Sequence, residues 1–480
     1  SLANVGVEPW IGTAPLDGDR FCHNFRSAQS KRGIRIDRFR SLTDPRHALR
    51  FFMTKKFVAK ITVQYWEKTM NRFLSGAAVA ALTITAAHAE EVEVLHWWTS
   101  GGEAAAVSVL QQTLQGQGVD WIDMAVAGGG GEAAMTTLRA RVVAGDPPTA
   151  AQMLGMTVRE WAQEGLLGNL NDVAEAEGWA DVIPPAVQAF AQYEGDWVAA
   201  PVNMHRPHWV WANAQVFADN GLEMPTTWDE FFAAGDVLNE AGIIPVAIGG
   251  QPWQEATAWE AIVLSLGPVL CQSAVIEADP EALASPEIAE AFDIMRRIRG
   301  YVDDNFAGRD WNLATQMVIS GKAGMQIMGD WAKGEITAAD LVPGEDILCA
   351  VVPGTQGSFL FNTDFFAMFD VGDEASAAQT ALAASVVNAS FQETFNLTKG
   401  SIPANTLTPR ENFDACAQRS MEDLAEATVA DQLFGSLAHG HGQPASVQRA
   451  YFDVITQHFN SDMSSADAQA ALIEAVAAAQ

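Results

Sequence analysis

Apolar positions along this chain come in short runs divided by longer, alanine-rich stretches. VEVLHWW (92–98), WVAAPVN (197–203), IIPVAIGG (243–250), AGMQIMGD (323–330), ILCAVVP (347–353) and FFAMFDV (365–371) each have the length of a buried strand. Between them the pattern turns helical. Such alternation predicts an α/β fold of βα units around mostly parallel sheets. One helix start is marked locally: in Pro225-Thr226-Thr227-Trp228-Asp229-Glu230, Thr227 is an N-cap and Glu230, three residues on, completes a capping box. The helix that follows should end at Gly242. No internal repeat, no linker rich in Pro, Gly or Ser and no low-complexity block interrupts the pattern. Domain boundaries must then fall inside strands or tight crossovers, as in a chain that passes between two lobes more than once.

The first run ends unusually, in VLHWWTSGGE (94–103). Successive side chains of a strand point to opposite faces, so Trp97 and Trp98 cannot both enter one core if the chain stays extended. One indole needs another home: a partner interface, burial at the strand end, or a flat ligand.

Charge divides the chain in two. The 480 residues hold 28 Lys+Arg against 59 Asp+Glu, a formal net charge of −31. Residues 1–89 carry 14 basic and 6 acidic side chains, net +8, which leaves 14 and 53, net −39, for 90–480. The acidic part argues against nucleic-acid binding. The break coincides with MNRFLSGAAVAALTITAAHAE from Met70: a basic Arg72, an apolar run from Phe73 to about Thr85, and Ala87-His88-Ala89 in the small-x-small cleavage pattern. That run is too short to span a bilayer stably. The expectation is a native start at Met70, a signal peptide over 70–89, a mature terminus at Glu90 and a 1–69 segment foreign to the exported protein; the alternative is a basic extension around an internal apolar helix.

Export permits disulfides. Cys22 falls upstream, and of Cys271, Cys349 and Cys416 the expected bridge is Cys349–Cys416. Cys271 follows the apolar run AIVLSLGPVL and reads as a buried small hydrophobe. No metal-binding or haem spacing occurs, so no cofactor is expected. AVAGGGGEAAM (125–135) lacks both the Walker ending and the spaced glycines of a dinucleotide fingerprint, and reads as a permissive turn into a helix near Glu132. There is no Gly-x-Ser-x-Gly elbow. Carboxylates abound, but nothing singles out a glycosidase pair.

VLHWWTSGGE, the AGGGG run, AAPVNMHRPHWVW, PTTWDEFFAA, GRDWNLAT, KAGMQIMGDWAKGE and FNLTKGSIP together resemble the extracytoplasmic glucose-binding proteins of bacterial ABC importers, within the broad solute-binding family that includes the maltose-binding protein. The similarity runs in order through 90–480. It implies a two-lobed periplasmic binding protein fold with several hinge crossovers, lobes over 90–202 with 353–400 and 203–352 with 401–480, and no catalysis. It also implies a monosaccharide as ligand, permease subunits of the inner membrane as partners and a monomeric, periplasmic protein.

The residues give this chemical sense. A pyranose has C–H faces that pack on aromatic rings and an edge of hydroxyls that need donors and acceptors. Trp97 and Trp98 supply a platform, and Glu103, after two glycines, an ionised acceptor. The resemblance adds Gln152, Asn362, Asp364 and Lys399 from the first lobe and Trp331 and His439 from the second. It also marks a departure, because Leu154 stands where relatives carry a polar residue and cannot hydrogen-bond a sugar hydroxyl. Two rivals remain: a secreted glycoside hydrolase, which needs carboxyls roughly 5–10 Å apart about the scissile bond, and a binding protein for another solute, such as an oligosaccharide or polyol. N-terminal sequencing of protein recovered from the native periplasm is expected to begin at Glu90; an intact Ser1 would contradict this.

Overall fold

The computed structural model describes residues 90–372 and 376–480. The expectations for Cys22, the 1–69 segment, the signal over 70–89 and cleavage after Ala89 lie outside the described residues. From its start the chain runs β1 (Glu90–His96), α1 (Gly101–Gly116), β2 (Val119–Ala125), α2 (Glu132–Val143), β3 (Ala150–Leu154) and β4 (Ala199–Pro201). It continues through β5 (Trp209–Asn213), α3 (Trp228–Glu240), β6 (Ile244–Ala247), α4 (Pro252–Leu266), β7 (Ala323–Met328), α5 (Ala332–Ala338) and β8 (Ile347–Val351). Then come β9 (Phe359–Phe361), β10 (Asp364–Met368), α6 (Ala389–Lys399), α7 (Ala415–Ala430), β11 (Leu433–Gly435), α8 (Ala445–Phe459) and α9 (Ser465–Ala479).

Two larger sheets result, in the orders β2-β1-β3-β10-β4 and β8-β5-β7-β6, beside two two-stranded ones, one of which pairs β9 with β11. Each apolar run read from the sequence contains a strand. The sheets are mixed, however, where mostly parallel ones were expected: β10 runs antiparallel to both β3 and β4, and β5 antiparallel to both β7 and β8. These are strands that flank the crossovers, and a chain returning from the other sheet re-enters against its neighbours. Three crossing segments lie side by side. Val202 donates to the carbonyl of Asp364, Met204 and Ile402 exchange backbone hydrogen bonds, and His205 and Asn362 do the same. The expected absence of a linker follows, since the passage between sheets is itself hydrogen-bonded.

Local signals held. Thr227 accepts from the Glu230 amide at 3.2 Å while Glu230 accepts from the Thr227 amide, also at 3.2 Å, and α3 ends just before Gly242, at φ +74°. Around the first sheet the core gathers Val92, Val94 and Leu95 of β1, Phe365 and Phe366 of β10 and Phe391 and Phe395 of α6. The second sheet packs on α4, whose residues from Trp253 to Leu264 are all buried, covered by α8 and the helix Pro286–Arg299. A helix buried on every side reads as apolar all round. Glu255 and Glu260 are therefore exceptions inside it.

Cys349 of β8 is bonded to Cys416 of α7, with Cα atoms 6.3 Å apart, and Cys271 is free and buried. Helix α7 turns Ala417 and Met421 into the first core, so the bridge ties that helix to the second sheet. Replacing both cysteines by serine should cost up to about 4 kcal/mol, the loop-entropy value for the 67-residue separation. Urea denaturation of the two forms measures it, and non-reducing peptide mapping that found Cys271 bridged would contradict the pairing.

Candidate functional site

The two indoles of the opening question part company where β1 ends. The Trp98 ring lies edge-on to Phe366 at 5.6 Å and tilted against Phe395 at 5.4 Å, so one side of it closes the first core. Trp97 turns the other way, its amide held by Gln152 Oε1 at 3.1 Å. Both reach the same small cavity, walled also by Glu103, Leu154, Trp331, Asn362, Asp364, Lys399 and His439. Eight of the nine residues singled out from the sequence thus converge.

Gln152 is the correction. It is fully buried behind the wall, and its two polar ends are both spent, one on the Trp97 amide and the other donating to Asp364 Oδ1 at 2.7 Å. It positions two site residues and does not itself face the cavity. Glu103 has a double occupation. One oxygen, Oε2, accepts the amides of Thr99 and Ser100 and completes the capping box of α1, while Oε1 lies 3.6 Å from Lys399 Nζ. Lys399, last residue of α6, also sits 5.7 Å from the centre of the Trp98 ring.

Asp364 is the most heavily held. Its Oδ2 accepts from Asn203 at 2.8 Å and faces His205 Nε2 at 3.1 Å, and its amide donates to Asn203 Oδ1. Burial alone would raise its pKa, but the hydrogen bond and charge of His205, then Lys399 and Asn203, outweigh that and hold the carboxyl at about 2. His205 in turn meets Asp330 Oδ1 through Nδ1 at 2.5 Å. Burial opposes its charge, yet Asp330 and Asp364 raise its pKa above the ordinary value. His205 lines the cavity, as do Trp253 and Trp311; none of the three was singled out from the sequence, although His205 lies within the AAPVNMHRPHWVW motif.

Two buried polar atoms on the wall residues have no protein partner: Asn362 Oδ1 and His439 Nε2. Burial pushes the His439 pKa down to about 3, so its imidazole is neutral. Around them stand Trp331, 5.1 Å from the His439 ring, and Trp253, 5.9 Å from it. The glycine run caps the cavity. A Cβ on Gly129 would meet Trp253 and Trp311 at 2.9 Å, one on Gly130 would meet Trp253 at 2.8 Å, and one on Gly131 would meet Trp97 at 3.0 Å. The run makes the turn expected of it, with Gly128, Gly130 and Gly131 at positive φ just before α2 begins at Glu132, and it also admits the close approach of indoles. The free space inside is about 40 Å³, far below the roughly 300 Å³ at which ordinary ligand pockets begin. The walls are drawn together.

A neutral imidazole, an amide, two carboxyl groups, a lysine and several indoles can hold a polyhydroxylated ligand by its edges and faces. Comparison with known proteins agrees on the class. Residues 98–383 match the model of the bacterial extracellular solute-binding proteins. The chain is 54% identical to a probable sugar-binding periplasmic protein of Rhizobium meliloti (strain 1021), over 86% of this chain and 100% of that one. Among solved structures it is similar to a chitin oligosaccharide binding protein, at a TM-score of 0.68 and 18% identity over 81% of this chain and 98% of that one. It is also similar to the bacterial solute receptor AcbH, described as having an exclusive preference for β-D-galactopyranose, at a TM-score of 0.64 and 19% identity over 80% and 97%. The structural likenesses show a two-lobed fold, and the family match across more than half the chain, with the 54% identical relative, shows the rest: the chain belongs to the bacterial extracellular solute-binding proteins of ABC transporters, which bind and do not catalyse.

Proposed function

We propose that this chain is the periplasmic, monomeric sugar-binding component of an ABC importer, holding a neutral monosaccharide, glucose or a close relative, between its lobes and handing it to permease subunits in the inner membrane. The observation that carries the reading is the pair of unpartnered buried atoms, Asn362 Oδ1 and His439 Nε2, among indoles on one cavity wall. Buried polar groups without partners are costly unless something else satisfies them, and sugar hydroxyls between aromatic faces would do so. The likeness to proteins named as sugar-binding and periplasmic supports the substrate class and the compartment. The lobes in this reading are 90–202 with 353–400 and 203–352 with 401–480, with α7 straddling them.

Leu154 faces the cavity where it can donate and accept nothing. A sugar hydroxyl buried against it would forgo about 1–3 kcal/mol, which favours a ligand with an apolar edge there. One observation favours a longer ligand. A cleft of about 800 Å³ shares Trp97, Gly129, Gly130, Leu154, Trp253 and His439 with the cavity and extends to Arg139 and Arg449. An oligosaccharide could lay further rings along it.

Titration calorimetry with glucose, mannose, galactose and xylose, beside small-angle scattering, tests the reading: one monosaccharide should bind below millimolar concentration and compact the protein. Binding only of oligosaccharides would move the assignment to the second reading. Trp98→Ala should weaken binding by about 1 kcal/mol or more. Glu103→Gln is informative because glutamine can still fill the capping box, so α1 should keep its cap while affinity falls and Lys399 loses its ion-pair partner.

Stability should also depend on acid in a defined way. Asp364 has its pKa depressed from 3.8 to about 2. Its contribution, roughly 2 kcal/mol, is therefore fully present above pH about 4 and lost as pH falls through 2. Unfolding of Asp364→Asn, followed against pH, should lack that segment of the acid profile.

A further inference from the structure

Helix α4 is buried from Trp253 to Leu264, yet it carries Glu260 with no exposure at all. The Glu260 carboxylate is aimed at the turn after β11. Its Oε1 is 2.5 Å from Ser436 Oγ and its Oε2 accepts the Ala438 amide at 3.1 Å. Ser436 Oγ is in turn 2.8 Å from His439 Nδ1, and the opposite nitrogen, Nε2, is the unpartnered atom of the cavity wall. The turn is fixed independently of this chain. Ser436 donates its amide to the Phe361 carbonyl, and His441, whose Nε2 accepts the Thr363 amide at 3.2 Å, donates from Nδ1 to the His439 carbonyl at 2.8 Å.

We propose that Glu260 is a positioning residue: acting through Ser436, it decides which nitrogen of His439 carries the proton, and hence whether the site offers the ligand an acceptor or a donor. This rests on the reading of His439 as a ligand contact. A serine hydroxyl has one hydrogen to give and lone pairs to receive. Ionised Glu260 can only accept, so Ser436 donates to it, Oγ then accepts from His439 Nδ1–H, and Nε2 presents a bare lone pair. Add one proton to Glu260 and the order reverses: the carboxyl donates to Ser436, Ser436 donates to Nδ1, and the imidazole carries its hydrogen on Nε2. One proton enters from solvent and the imidazole stays neutral in both states.

The surroundings leave Glu260 as the group that switches. Burial pushes its pKa up to about 7, against the pull of the Ser436, Ala438 and Leu437 hydrogen bonds. The neighbouring Cys271 thiol is pushed up by burial and by Glu260 itself, and remains neutral. Burial, then His441 and His205, push His439 down to about 3, with Asp364 opposing, and His441 lies at about 4. His205 is raised and held by its two aspartates.

Long-range proton–nitrogen correlation spectra of the ligand-free protein with ¹⁵N-labelled histidine read the tautomer directly, the His439 signals being assigned by their loss in His439→Gln. Wild type should carry the proton on Nδ1 at pH 8.5 and on Nε2 at pH 5.5. Glu260→Gln, whose amide would donate to Ser436 while its oxygen keeps the backbone donors, should show Nε2–H at both. Ser436→Ala should uncouple the tautomer from pH, which keeps the test open if the glutamine variant folds poorly. With D-glucose as probe, wild-type affinity should change roughly 10-fold between the two pH values, the size of one mismatched hydrogen bond, and Glu260→Gln should show no such change. A His439 tautomer indifferent to pH and to both substitutions would overturn the relay. Failure of D-glucose to bind in any form would instead count against the monosaccharide reading, because the spectra need no ligand.

Discussion

His205 stands between two carboxylates that the chain brings from far apart, Asp330 after β7 of the second sheet and Asp364 at the start of β10 in the first. Charges taken this far from water are tolerated only when paired and hydrogen-bonded. The three groups satisfy one another, and Asn203 and Gln152 take up the remaining capacity of Asp364. Because the imidazole sits on one of the crossing segments and backbone-pairs with Asn362 on another, the ion pairs and the hinge ladder are one construction. Removing His205 would leave both carboxylates without their shared partner at the place where the sheets meet.

From that construction the cavity inherits its shape. Asp364, Asn362 and His205 are presented by the crossovers, Lys399 by the end of the helix that follows, and Trp97 and Trp98 by the strand next to β3. Side chains positioned by strand ends and capped helices lose little freedom when a ligand arrives, which is the advantage of a preorganised site. Gln152 extends this inward by bonding two residues of the wall, and Glu260 by bonding Ser436, which in turn meets His439.

Much of the fold was legible because buried strands need apolar runs, and each such run proved to hold a strand. Strand β2, just before the glycine run, carries no apolar run of its own: VDWIDMA lies at the sheet edge with Asp120 and Asp123 exposed. The wall residues came from resemblance joined to chemistry, and they converge. Gln152 failed because a strand's alternation tells which face a side chain takes and not how deep it lies: Leu154, two residues on and nearer the strand end, reaches the cavity while Gln152 sits beneath Trp97. His205 could not be read at all. Its partners lie 125 and 159 residues away, and no local pattern encodes an ion pair of that span.

The glycine run between β2 and α2 sets a dimension. The indoles of Trp253, on α4, and Trp311, which opens the helix Trp311–Ile319, rest on bare backbone at Gly129 and Gly130, with no side chain between. The thickness of a peptide plane therefore fixes how near the two jaws can come. A single methyl inserted there would serve as a doorstop, holding the two sides of the cavity ajar although every other residue of its wall was still present.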